Sequence, residues 1–64
     1  MDYQILDHLN KKLNDRQLEI IGVVSEGGCK SFDHYKELCG LIRGLQTAQR
    51  EIEDLVRKIK ENDD

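Results

Sequence analysis

The sequence predicts an all-α protein, an antiparallel two-helix hairpin with coiled-coil-like packing. Three observations predict it. Apolar residues recur at steps of three and four along two long stretches, the adjacent pair Gly27-Gly28 falls between those stretches, and proline is absent. With 64 residues, 36% of them charged and Tyr3, Phe32 and Tyr35 as the aromatics, the chain has room for one domain with a thin core. Chains below about 70 residues normally add a disulfide, a metal, a second copy or a docking partner to such a core. The hairpin is therefore expected to be oligomeric or docked on a larger protein.

Helix 1 is expected from about Asp2 to Ser25. Leu6, Leu9, Leu13, Ile20 and Val24 share one helical face, with Gln17 in the missing place of that stripe. Tyr3, Ile5, Ile21 and Val23 lie on its flanks. Asp2 and Asp7 suit the positive end of the helix dipole, and Asp7 with Lys11 forms an i,i+4 pair. Gly27-Gly28 should end the helix, because glycine enters the left-handed conformation without a Cβ penalty. The turn then covers 26–31, and Ser31 caps the next helix with Asp33 in its first turn. So short a link makes the two helices antiparallel neighbours.

Helix 2 is expected from about Phe32 to Lys60, followed by a frayed tail over 61–64 that sets acidic side chains at the negative end of the dipole. Its seam is Tyr35, Leu38, Ile42, Leu45, Gln49, Ile52, Val56 and Ile59, a heptad repeat in which Gln49 either fixes register or sits at a wet spot. Beside the seam run Leu41, Ala48 and Leu55, with Gly44 at the margin. The apolar arc then exceeds what one neighbouring helix covers. Gly40 and Gly44 stand inside this helix, where each costs about 1 kcal/mol relative to alanine. Close approach of another helix would explain them. A fold centred on Gly28 sets Gly44 near Leu13 and Ala48 near Leu9; Gly40 points toward the polar side and either receives a second chain, the preferred reading, or is simply tolerated. The expected protein interface is thus Gly40, Leu41, Gly44, Ala48 and Leu55.

Chemistry finds little footing. Cys29, His34, Cys39 and His8 are metal-ligating types, but no C-x2-C pair occurs, and His34 and Cys39 are off a common helical face. No metal or cofactor is expected. The two cysteines should be reduced thiols, since a helix starting near Ser31 holds their α-carbons about 12–15 Å apart. Two helices enclose no pocket, and neither a nucleophile elbow nor a phosphate-binding glycine loop is present, so no catalytic residue is assigned and an enzyme is not expected. Lys36, Arg43, Arg50 and Arg57 recur every seven residues as one column. That column is either a contact for an acidic partner or a phosphate backbone, or, by preference, a solvated face. A net charge of -3 argues against nucleic acid as a partner. No apolar run is long enough to span a bilayer and the first residues lack a signal-peptide pattern, which predicts a soluble, intracellular chain without a membrane partner.

The run Phe32-x-x-Tyr35-Lys36-x-Leu38-Cys39-Gly40-x-Ile42-Arg43-Gly44-Leu45, followed by Ala48, Ile52 and Leu55, resembles small helical proteins of tailed bacteriophages encoded among head and neck genes near the portal. The match covers about the last half of the chain; helix 1 agrees in length and pattern alone. The resemblance implies a non-enzymatic, minor virion component of the head or neck that packs helically against neighbouring subunits. Its partners would be itself or a larger virion protein (capsid, portal or neck), and its places the virion and, during assembly, the host cytoplasm. The alternative is a soluble regulator or assembly factor that binds a host or phage protein.

Overall fold

A computed structural model describes residues 3–62, which form two helices, α1 (Gln4–Ser25) and α2 (Phe32–Asn62), with no strand among the described residues. They pack against each other as a hairpin 50 Å long and 15 by 13 Å across. Two expected boundaries move. Asp2, expected to open α1, lies outside the described residues, and α2 continues through Glu61 and Asn62, where fraying was expected. Lys60 in the last turn puts a positive charge at the negative end of α2. The rest of the expected tail, 63–64, also lies outside the described residues.

The turn is closed by backbone chemistry. Gly27 adopts φ +74°, and the amides of Gly27 and Gly28 donate to the carbonyls of Val24 (3.3 Å) and Val23 (2.8 Å), the paired bonds of a Schellman end. Gly28 is required for a different reason: a Cβ there would stand 2.9 Å from Val23 Cγ1 and 3.1 Å from the Val23 carbonyl oxygen. Ser31 caps α2 as expected, its Oγ accepting from the His34 amide at 3.0 Å. His34 reciprocates, with Nδ1 accepting from the Lys30 amide at 3.0 Å. The bond is a capping box shifted by one residue, since the amide it satisfies is that of the residue before the N-cap.

Two contacts at the open end define the register: Asn10 Nδ2 donates to Glu53 Oε1 at 3.5 Å, and Lys60 Nζ lies 4.8 Å above the Tyr3 ring. Equal rise along both helices then sets Leu6 level with Val56, Asn10 with Ile52, Leu13 with Gln49, Gln17 with Leu45, Ile20 with Ile42, and Val24 with Leu38. This corrects the expectation of a fold centred on Gly28. The centre lies near Ser31, and Gly44 stands level with Glu19 and Ala48 with Asp15, far from Leu13 and Leu9.

Most expected core residues are partly covered: Leu6, Leu13, Ile20 and Val24 on α1, and Leu38, Ile42, Leu45, Ile52 and Ile59 on α2. Leu9 is a correction. It is 44% exposed, because the alternating steps of four and three that run Leu6, Asn10, Leu13, Gln17 give its place in the seam to Asn10. Tyr35, expected to start the α2 seam, is also exposed, since its level, near Gly27–Gly28, lies past the end of α1. Among the described residues Val56 alone is fully buried, at 8% exposure. The accessible surface of 5152 Å² exceeds the value near 4,200 Å² expected of a compact monomer of this mass.

Candidate protein interface

Each flank of the seam is made by residues from both helices. On one side, every flanking residue stands one position before a seam residue: Leu9 before Asn10, Val23 before Val24, Leu41 before Ile42, Leu55 before Val56. In an antiparallel pair these positions fall on the same side of both helices. Leu9, Val23, Leu41 and Leu55 are 41–50% exposed, and Ala48 is half-buried between the two leucines of α2. The register sets Val23 level with Leu41 and Leu9 level with Leu55, so the four form two apolar rungs joined by Ala48 and by Arg16 on α1. Ile5, 70% exposed, extends the strip at the open end.

This strip contains three of the expected interface positions on one surface, Leu41, Ala48 and Leu55, and Gly44 borders it. Spacing alone places Leu9 in the core and Val23 on a flank; their membership of the strip depends on the pairing of the two helices. A Cβ at Gly44 would meet nothing within 4 Å, so the leucine knob expected in that notch is absent within the hairpin. Gly40 is not brought into the strip. It lies on the outer face beside Tyr35, Lys36, Cys39 and Arg43, around a shallow depression, and a Cβ there also meets open space.

The opposite flank is charged along its open half. Asp7, Glu53, Arg57 and Lys60 border a groove of about 390 Å³ floored by Asn10, Ile52 and Val56. Toward the turn this side becomes apolar, with Phe32 stacked on Tyr35 at 6.2 Å between centroids and Lys36 Nζ 5.7 Å from the Phe32 ring. Asn10 links seam and groove through Glu53, but Asn10 Oδ1 and Gln17 Oε1 are covered and accept no hydrogen bond. A covered unpaired oxygen costs about 1–3 kcal/mol. The register explains why: each polar seam residue, Gln49 included, faces an apolar one.

The basic column is a solvent-exposed face. Lys36, Arg43, Arg50 and Arg57 are all exposed; Arg57 pairs with Asp54, and Lys36 is over Phe32. Among the described residues the expected pair Asp7–Lys11 does not form; the ion pairs are Arg57–Asp54 and Arg16–Glu19, the latter at 3.7 Å. Exposed pairs of this kind contribute roughly 0.2–1 kcal/mol.

Cys29 and Cys39 are half-buried free thiols. Tyr35 is held above the ordinary phenol value, first by its hydrogen bond with the Cys39 side chain, then by the Cys39 charge, slight desolvation and the Cys29 charge. No three His, Cys, Asp or Glu side chains converge as a metal site among the described residues, and no described helix is long and apolar enough to cross a membrane. Fold and surface together define the class: an all-α helical hairpin with one apolar flank. In comparisons with known proteins, no family model, curated protein or solved structure matches the chain.

Proposed function

We propose that this chain is a non-enzymatic interaction protein that acts by burying the flank formed by Leu9, Val23, Leu41, Ala48 and Leu55 against another helical surface. The observation that carries the reading is the exposure of four large apolar side chains on one side of a hairpin whose own seam buries Val56 alone. Contiguous apolar surface rimmed by charge is characteristic of a surface that meets a partner. The sequence resemblance of Phe32 to Leu55 takes the reading further, to a minor structural component of a tailed-phage head or neck that spaces neighbouring subunits. No chemical step is involved; the work is done by burial of apolar area and by the rigidity of two paired helices.

Washed particles of the phage that encodes the chain test this. A structural component remains in them at fixed stoichiometry, and the Leu41→Asp, Leu55→Asp double variant is lost from them while remaining helical. Absence of the unaltered chain from washed particles overturns the structural role.

A further inference from the structure

We infer that the occupant of the apolar flank is a second copy of this chain, laid across it about a two-fold axis at the level of Arg16 and Ala48, with the two turns at opposite ends. The inference rests on the reading of that flank as a binding surface and names its partner. Arg16 and Ala48 stand within one residue of the same level of the hairpin, so one axis relates both helices to their copies. Rotation about it sets α1 antiparallel to α1 and α2 antiparallel to α2. Leu41 then meets Leu55 of the second copy, Leu9 meets Val23, and Ala48 meets itself.

The charges one turn outside the strip agree with this rotation. On α1, Lys12 falls level with Glu19 of the second copy; on α2, Glu37 falls level with Lys58. Each attraction occurs twice by symmetry. Such exposed pairs add little affinity but select orientation. Placing both turns at the same end would instead set Glu37 level with Glu26 of the other copy, a like-charge contact that offsets the one attraction of that arrangement, Lys12 with Glu51. One like pair remains in the favoured arrangement, Arg16 on Arg16, where each guanidinium is already paired with Glu19 at 3.7 Å and its stem can lie along the strip.

Size and shape also fit. The elongated hairpin exposes about 950 Å² more than a compact chain of its mass, so it has surface to give to a second copy. At the axis the side chains are small. Ala48 and Gly44 occupy successive turns, and the open space around a Cβ at Gly44 is where the second α2 would pass.

The test is light scattering and sedimentation of the full chain under reducing conditions from micromolar to millimolar concentration. The expected result is a mass of two chains, with Leu41→Asp, Leu55→Asp giving a helical monomer at least about 100-fold weaker in association. Glu37→Lys alone weakens association about 5-fold, and adding Lys58→Glu restores it. In a Cys29→Ser, Cys39→Ser background, Ala48→Cys chains link to one another through a short bis-maleimide. Leu41→Cys chains link only when mixed with Leu55→Cys chains. A chain monomeric over the whole range overturns the second copy alone, because the flank's use in particles is judged by the separate loss of the double variant. A dimer that survives Leu41→Asp, Leu55→Asp, or in which Ala48→Cys chains do not link, overturns the arrangement.

Discussion

The two flanks of this hairpin grow from one heptad pattern and end with opposite character. On the side of Leu9, Val23, Leu41 and Leu55, the row from Leu9 to Val23 and from Leu41 to Leu55 is aliphatic or small apart from Arg16. On the side of Asp7, Glu53, Arg57 and Lys60, the open half is charged and the groove over Val56 is bordered by side chains that prefer water. The seam beneath is identical for both, so the difference lies in residues that do little for the hairpin itself. A flank whose charges are satisfied by solvent needs no partner. A flank that leaves four large apolar side chains 41–50% exposed gains by acquiring one.

The largest expected effect comes from the seam's polar residues, which join it to the charged flank. Replacing Asn10 and Gln17 with leucine removes two covered, unpaired oxygens and adds apolar contact, a gain of about 2 kcal/mol each. The melting temperature should rise by about 10 °C or more in circular dichroism. An unchanged or lower melting temperature would show that these amides find partners the register does not supply.

Next come the two glycines of α2, which divide between the faces. Gly40→Ala and Gly44→Ala each remove an interior helical glycine where a Cβ meets nothing, so each should stabilise the isolated hairpin by about 1 kcal/mol. Leucine separates them. Gly44→Leu should block association on the apolar side, whereas Gly40→Leu, on the outer face, should leave the mass unchanged by light scattering. Equal behaviour of the two would erase the distinction between those faces.

Smaller still is Lys60→Ala on the charged flank, which removes the cation above Tyr3 and should cost about 0.5–1 kcal/mol of chemical-denaturation stability. A loss matched by Lys60→Met would assign the effect to the charge and not to the packing of the stem. The smallest effect belongs to Tyr35, where the charged side gives way to the turn. Its phenol is raised in the folded chain, so its contribution is fully present below the unfolded value near 10 and is lost as pH rises through the folded one. The difference in melting temperature between the chain and its Tyr35→Phe variant should therefore be constant at neutral pH and change only in alkali. A Cys39→Ser variant, which removes the leading cause, should diminish that change.

Local chemistry was legible in the chain itself. Gly27 and Gly28 end α1, Ser31 caps α2, and steps of three and four align Leu38, Ile42, Leu45, Ile52 and Val56 on one face of α2, because these depend on neighbours within about a turn. His34 was less legible: it stood out as a metal-ligating type, while its role is to accept the Lys30 amide, a bond that exists only once the turn has formed. Asn10 is not legible as a seam residue because a period-3.6 stripe admits either position 9 or position 10, and polarity favours the leucine. Which of them enters the seam is decided by the partner helix.

The sequence by itself determined that two amphipathic helices meet at a glycine turn, since periodicity and capping are encoded within each segment. Tertiary structure alone decided the register centred near Ser31, and with it the union of Leu9 and Val23 from α1 with Leu41, Ala48 and Leu55 from α2 on one face. A helix knows its own faces from spacing, but which faces of two helices become a single surface is settled only by how the helices slide and rotate against each other.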